Sequence, residues 1–402
     1  MMIIFDIVNY SLIAITVGIA CSWIYLIKSM LNSFKHTPYL DIFEKKDHSF
    51  PKVSIILPAR NEEKFIKKCL DGLVEQDYKN YEIIAIDDSS EDKTGDIIEE
   101  YSKKYSKIIA VKALPKPDDW MGKNWACMEG YKKATGDILL FTDADTYHNR
   151  CVISLAVSHL LSLNLDALSV IPKMLSFDFW TKITLPMIST FLHTRFSALN
   201  VNNPNKKTGY FFGSFFIIKR EVYQNVGMHK GVKQEIIEDG ALGKKVKERG
   251  YRMRMVRGEH LISAIWARDR DTLWNALKRL MIPLYIQSGN IAIGIFVAVL
   301  FLLFMPFPIL AYSVIFVSES TSFLILCIIS GIASFLIYLG AVIEVRQALF
   351  IETKFAMFAP LGSLVVVLGF LSGLIKAKGD SAVSWRGRSY SMKDHAQDSI
   401  RI

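Results

Sequence analysis

Two carboxylates one residue apart at the end of an apolar run can hold a cation. Thr142-Asp143-Ala144-Asp145 has that form, directly after Ile138–Phe141. Carboxylate oxygens suit Mg²⁺ or Mn²⁺, and such an ion can share its other ligand positions with a diphosphate and neutralise a departing nucleotide. A lone triplet of this kind also occurs on many solvated loops. Two more polar clusters accompany it. Asp87-Asp88 closes another apolar run and leads through Ser89 and Ser90 to Asp92 and Thr94. Carboxylates there can accept hydrogen bonds from a base N–H or from ribose hydroxyls, while Ser90 or Asp92 equally suits a helix N-cap. Trp120-Met121-Gly122-Lys123 opens a helical pattern. A lysine beside a helix N-terminus can clamp a diphosphate, although in isolation it reads as a surface lysine.

These clusters need a scaffold, and the intervening residues describe one. Val53–Leu57, Tyr81–Ile86, Ile108–Val111 and Ile138–Thr142 are short apolar runs that read as buried strands. Between them, Glu62–Val74, Asp92–Tyr105 and Lys123–Ala134 carry the spacing of amphipathic helices. Alternation at such short intervals predicts a mostly parallel sheet covered on both faces, an α/β fold. Ligands of such sheets bind beyond the carboxyl ends of the strands, where Pro58–Glu62, Asp87–Ser90 and Asp143–Asp145 fall. Beyond this stretch the pattern is less regular. Phe177–Leu199 is amphipathic and aromatic, which fits either a core helix or a helix lying in a membrane interface.

The motifs in order resemble glycosyltransferase family 2, with its A-type nucleotide-sugar-binding fold. Pro58-Ala59-Arg60-Asn61-Glu62 resembles the opening P-x-x-N-E motif, and Asp87–Thr94 the nucleoside-binding string. Gly136–Asp145 is similar to the family's strand ending in D-x-D. Gly213-Ser214 resembles its acceptor-side segment, and Ile237-Glu238-Asp239-Gly240-Ala241-Leu242 the E-D-x-x-L helix start. Trp120–Lys123 with Trp125 and Ala126, and Trp385-Arg386-Gly387-Arg388-Ser389-Tyr390 near the C-terminus, look closest to membrane enzymes of carotenoid- or hopanoid-type lipids.

The resemblance implies an inverting transfer of a sugar from a nucleotide diphosphate, with a UDP-sugar favoured as donor. Asp239 would be the catalytic base, with Glu238 as its neighbour in the site. Pro58, Arg60, Glu62, Asp87, Asp88, Lys123 and Asp143 would hold the donor, helped by Arg386 and Arg388. Asp143, Asp145 and His260 would hold Mg²⁺ or Mn²⁺. The processive synthases of the family carry Q-x-x-R-W after the E-D segment. None occurs between Asp239 and Asn290, which points to the transfer of a single sugar.

Four uncharged runs flank this region: Ile7–Ile27, Ile291–Val317, Ser322–Ile343 and Phe355–Ile375. Each approaches or exceeds the ~20 apolar residues that a helix needs to cross a bilayer. The first lacks a basic n-region and a small-residue cleavage site, so it reads as a retained anchor. No Lys or Arg precedes it, whereas Lys28, Lys35, Lys45 and Lys46 come after it. The positive-inside rule then puts residues 28–290 in the cytoplasm. The expected organisation is a membrane anchor over 1–27, a catalytic domain over 28–290, transmembrane or re-entrant helices over 291–375 and a basic cytoplasmic tail over 376–402. Three later spans would put Lys376, Lys378, Arg386 and Arg388 outside, against that rule. Phe355–Ile375, interrupted by Pro360-Leu361-Gly362, is therefore expected to be re-entrant or interfacial.

The formal net charge of +9 fits flanking bases at an anionic membrane face better than nucleic acid, since no basic helix or aromatic-basic stripe stands out. The five cysteines show no CxxC spacing, and no disulfide framework or zinc site follows from them. The reading is a multi-pass cell-membrane enzyme acting on a lipid hydroxyl or phosphate. The alternatives are a processive polysaccharide synthase and a non-catalytic scaffold with the same fold.

Overall fold

Val53–Ala59 (β1) is almost wholly buried and runs parallel to Tyr81–Asp87 (β2) on one side and to Ile138–Phe141 (β4) on the other. Ile108–Lys112 (β3) extends the sheet beyond β2. In a computed structural model describing residues 2–43, 51–194, 196–379 and 382–391, these four strands begin a seven-stranded sheet. It continues past β4 with Phe216–Lys219, Ala167–Ile171 and Met253–Arg257. Only Phe216–Lys219 runs antiparallel to its neighbours. Both faces are covered, which is why the strands read as continuous apolar runs rather than as alternating ones. One core gathers Ile55, Leu57, Leu70, Val152 and Leu160; the other gathers Ile56, Ile84, Leu139 and Leu242.

Register positions the chemistry. Ala59 pairs with Asp87, and Ile56 with Phe141, so β1, β2 and β4 end side by side. Arg60–Glu62, Asp88 and Asp143–Asp145 therefore leave the sheet at one edge. A second, three-stranded sheet anchors the chain directly after Asp145. Thr146–His148 pairs with Ile262–Ile265, which also pairs with Lys173–Leu175. Strands of three or four residues leave no periodic signal, and nothing in the sequence marks this sheet.

The chain divides into two units. This α/β unit takes residues 36–175, 196–266 and 382–402, and a helical unit takes 1–35, 176–195 and 267–381. Lys45, Lys46 and the tail beyond Ser391 lie outside the described residues.

In the helical unit, Asp6–His36, Thr321–Leu349 and Thr353–Lys378 are each long and apolar enough to cross a membrane. A fourth element, Gly289–Phe304 with Pro306–Ile315, is bent by 51°. This corrects one expectation. The break falls here, at the π-turn Leu300–Phe304 before Pro306, and not in Phe355–Ile375. Pro360 lies in the first turn of the helix Ala359–Lys378, where the missing N–H has no partner to lose.

Phe177–Leu199 also differs from a single amphipathic helix. Asp178 caps a helix over Phe179–Ser189, its carboxylate accepting from Thr181 N–H at 2.6 Å. A 3₁₀ turn over Thr190–His193 ends at Thr194, whose φ −96°, ψ −104° breaks the helix. That first helix is packed inside the helical unit: Gly362 lies so close to it that a Cβ there would fall 2.0 Å from the Ile183 carbonyl. Among its described residues the same unit buries one acid, Glu344. Ser189 Oγ donates to it at 2.6 Å and His193 Nε2 lies 2.9 Å away. A carboxylate so enclosed requires such partners.

Candidate active site

The three strand ends carry a carboxylate cluster, and each acid has its own support. At the end of β1, Glu62 is buried; its N–H donates to Thr94 Oγ1 at 2.7 Å. Asn61 adopts a left-handed φ of 53°, which asparagine tolerates better than most residues. Pro58 stays within β1, paired with Ile86. Arg60 turns inward. Its Nη1 donates to the carbonyls of Asp88 (2.8 Å) and Ser89, its Nη2 to Glu91 (2.8 Å), and its Nε to the Arg386 carbonyl (3.0 Å). The guanidinium thus shapes the loop after β2.

At the end of β2, Asp87 accepts from Ser90 N–H at 3.0 Å. Asp88 is buried and its Oδ2 accepts from Arg388 Nη1. Its Oδ1 has no hydrogen-bond partner among the described residues. Burial raises the Asp88 carboxyl above the usual range, against the pull of Arg388 and Arg60.

After β4, Asp143 Oδ1 lies 2.7 Å from Lys123 Nζ, and the same Nζ lies 2.7 Å from Glu238 Oε1. Burial opposes the charge on Lys123, but Asp143, Glu238 and Asp239 outweigh it and hold the ammonium well above its ordinary pKa. Lys123 stands in the first turn of the helix Gly122–Tyr131, and Glu238 opens the helix Glu238–Glu248. One lysine therefore joins the D-x-D loop to the E-D helix.

Asp239 comes next in that first turn. Its Oδ2 accepts from Gly213 N–H and its Oδ1 from Gly240 N–H, both at 2.7 Å. Desolvation and the neighbouring Glu238 push its carboxyl up to about 7, despite Lys123. Gly213 is needed for this approach: a Cβ there would fall 2.7 Å from Asp239 Oδ2.

The C-terminal hairpin supplies the remaining cations. Ala382–Trp385 pairs with Arg388–Ser391 across a two-residue turn, Arg386-Gly387. Both turn residues have positive φ, 48° and 78°, as a type I′ turn requires. Arg386 Nη2 lies 2.7 Å from Glu62 and 3.0 Å from Asp145, and Arg388 holds Asp88. Tyr390 is buried, and its hydroxyl accepts from Gly122 N–H at 3.3 Å.

His260 is placed differently from the other expected metal ligands. Its Nε2 meets Asp41 Oδ2 at 3.0 Å, and its ring meets Tyr39. Its bonded partner is thus neither Asp143 nor Asp145.

Sequence reasoning missed the support beneath the D-x-D loop. Thr142 Oγ1 donates to the Ser214 carbonyl at 2.7 Å, so His148 Nε2, 3.0 Å away, must be the donor to Thr142. Burial lowers the His148 pKa to about 3, so this ring is neutral. A lone buried histidine six residues downstream gives no motif that would have flagged it.

Among the described residues, no group of three or more His, Cys, Asp and Glu is arranged to close around a metal ion. The donor chemistry nevertheless fits a hard divalent cation. Glu62, Asp88, Asp143, Asp145, Glu238 and Asp239 outnumber Lys123, Arg386 and Arg388, and Glu62 and Asp145 already converge on one cationic nitrogen. Asp143 and Asp145 would supply oxygen ligands, with phosphate oxygens and water completing the shell.

Gly122 offers a test of the hairpin's role. A Cβ there would fall 2.6 Å from Arg388 Nη1, 2.7 Å from Tyr390 Oη and 3.0 Å from Asp88 Oδ2. Gly122 is itself buried, so the added methyl of Gly122→Ala has to push these groups aside. It should displace Arg388 and Tyr390 and weaken nucleotide binding several-fold. Calorimetry showing unchanged affinity would remove the hairpin from the nucleotide site.

The sheet order and the acids at its edge define an A-type glycosyltransferase fold. A mannosyltransferase from Pyrobaculum calidifontis, solved with GDP-mannose and Mn²⁺, shares that fold with TM-score 0.54 at 16% identity, over 92% of this chain and 99% of its own. Residues 54–227 match the family model "Glycosyl transferase family 2". It is similar to the probable glycosyltransferase YdaM of Bacillus subtilis, 37% identical over 28% of this chain and 27% of the relative. It is also similar to the 4,4'-diaponeurosporenoate glycosyltransferase of Staphylococcus haemolyticus, 28% identical over 51% of this chain and 55% of the relative. The chain thus spans about half the length, or less, of these curated relatives.

Proposed function

We propose that this protein transfers one sugar from a nucleotide-diphosphosugar to a hydroxyl or phosphate oxygen of a membrane lipid, with inversion at the anomeric carbon. The observation that carries the reading is Asp239. Its carboxyl is raised toward neutrality, oriented by two backbone N–H groups, and set beside Glu238, which Lys123 ties to the D-x-D loop. A base working near pH 7 needs such a carboxylate.

In the proposed reaction an acceptor hydroxyl attacks the anomeric carbon in line and gives its proton to Asp239, whereas an ionised phosphate oxygen attacks with no proton to give. As that bond forms, the bond from carbon to the diphosphate oxygen breaks, and the nucleoside diphosphate leaves with the electron pair. Lys123, Arg386 and Arg388 neutralise the leaving group, and Asp87 and Asp88 hold the nucleoside. The unpartnered Asp88 Oδ1 suits a base N–H or a ribose hydroxyl. A bound Mg²⁺ or Mn²⁺ would add Lewis-acid stabilisation of the departing diphosphate. His260 keeps at most an indirect part, given its bond to Asp41.

The lipid acceptor rests on the apolar helices of the helical unit and on the relative named for diaponeurosporenoate. In this proposal residues 1–27 anchor a cytoplasmic catalytic region over 28–290, residues 291–375 enter the membrane, and residues 376–402 return to the cytoplasmic side. The Lys28 and Lys35 flank supports that orientation.

The test is transfer by the purified full chain from UDP- and GDP-sugars to a total lipid extract, read by mass spectrometry. A lipid heavier by one sugar is expected. A ladder of sugars would favour a processive synthase, and no transfer from any donor would favour a scaffold.

A further inference from the structure

The segment that orients Asp239 also brings aromatic rings to it. Two glycines seat that segment on the helix Glu238–Glu248. A Cβ on Gly209 would fall 2.0 Å from the Gly243 carbonyl oxygen, and one on Gly243 would fall 2.8 Å from the Phe211 nitrogen. Phe211 is fully buried and stacks on Phe216, with ring centroids 4.4 Å apart. Its neighbours Tyr210 and Phe212 stay half-buried, their rings 5.5 Å apart and nearly perpendicular, and Phe196 closes on Tyr210 at 5.1 Å. Phe196 and Ile237, both half-buried, pack against Val232 and Ala241, so the aromatic wall continues onto the helix that carries Asp239. Burial raises the Tyr210 phenol well above its ordinary pKa, and the charges of Asp239 and Glu238 push it the same way, which puts this side chain within the field of the proposed base.

We propose that Phe196, Tyr210 and Phe212 form the acceptor wall, which selects an oxygen borne directly on a hydrocarbon skeleton over one borne on a sugar headgroup. This rests on the sugar-transfer reading above and names its acceptor more closely. An acceptor oxygen must come within about 3 Å of Asp239 to pass its proton, so the carbons next to that oxygen meet whatever lines the base. Phe196, Phe212 and Ile237 offer those carbons no hydrogen bond. A sugar placed there would bury hydroxyls without partners, a cost that a hydrocarbon escapes. The face of the Tyr210 ring, rather than its hydroxyl, makes the central contact.

The experiment follows transfer by the full chain in phospholipid nanodiscs to a total lipid extract, with hexadecanol or hexadecyl glucoside added as competitor at equal bilayer concentration. Hexadecanol should compete about tenfold more strongly than the glucoside. Tyr210→Ala should erase most of that preference and raise the acceptor KM about tenfold, the change expected when a ring face loses roughly 50 Å² of apolar contact. Donor affinity, read by calorimetry, should be retained. Phe212→Ala provides a second variant with the same expected rise. Tyr210→Phe keeps the ring and should keep the wild-type KM. Equal or stronger competition by the glucoside overturns the proposal, and so does an unchanged acceptor KM in both alanine variants. Loss of donor affinity together with the KM rise would make the rings a support of the fold and overturns it too. A Tyr210→Phe variant as impaired as Tyr210→Ala would assign the contact to the hydroxyl, with the same consequence. In each of these cases sugar transfer stands. No transfer by the wild type to the extract overturns the transfer reading and this proposal together.

Discussion

With Asp239 as the proposed base, Asp239→Asn should slow sugar transfer by roughly 10²–10⁴-fold, the usual worth of a general base, while donor binding should barely change. Asparagine keeps the shape and can still accept one backbone N–H, but cannot take the acceptor's proton. Donor affinity should persist because Lys123, Asp88 and the hairpin arginines remain. The pH profile follows from the raised carboxyl. Wild-type kcat/KM should fall below about pH 7 as Asp239 protonates.

Stability runs the other way. The folded carboxyl keeps a proton that the unfolded chain releases near the ordinary carboxylate value, so the stability it confers is present at acid pH and lost as the pH climbs toward 7. Asp239→Asn should therefore melt above wild type at pH 8 and level with it near pH 4. Single-turnover transfer, calorimetry and melting on Asp239→Asn and Glu238→Gln decide the assignment. A near-normal rate for the first with a crippled second exchanges their roles. Loss of donor binding in Asp239→Asn assigns its carboxylate to the donor site instead.

Chelation should have an effect of similar size. With the carboxylates in excess of the cations at the sheet edge, a diphosphate approaching Asp143 and Asp145 meets repulsion that Lys123 and Arg386 only partly offset. Treatment with EDTA should lower transfer at least about a hundredfold, the loss expected when one main electrostatic stabiliser of a leaving group is removed. Mn²⁺ or Mg²⁺ should restore it. Asp145→Asn should weaken donor binding as well as turnover, and should need more metal to reach its maximum. Full activity in chelator would show that the protein's own cations suffice for the leaving group.

Much of this site is legible in the sequence because it sits on strands whose apolar runs are continuous. Ile55–Leu57, Ile83–Ile86 and Ile138–Phe141 mark the sheet, and parallel register then brings Glu62, Asp88 and Asp143 to one edge. Other features depend on distant partners. Asp41 claims His260, and no local pattern reveals a pairing across that length of chain. The Asp239–Gly213 bond needs a glycine at the point of contact, which sequence shows only as one glycine among many. Sequence pattern places the helix break at Pro360, yet proline interrupts a helix only where an N–H is required; the π-turn before Pro306 has no comparable signature.

The seat of the C-terminal hairpin also sets a parity rule. Arg386 and Arg388 lie on Glu62, Asp145 and Asp88, so the chain that leaves the α/β unit after Trp266 returns to the same side of any bilayer by Ala382. It must cross an even number of times between them. Among the described residues three apolar elements lie on that path: the bent Gly289–Ile315 pair, Thr321–Leu349 and Thr353–Lys378. If the two straight helices cross, the bent one dips in and turns back. The excursion through Phe179–Ser189 obeys the same rule, since 11 residues of helix reach only about half the ~30 Å hydrocarbon core. A cysteine at Ser318 should then react with an impermeant maleimide from the same face as one at Asp118. Labelling from opposite faces would mean that the bent element crosses and that a straight helix does not.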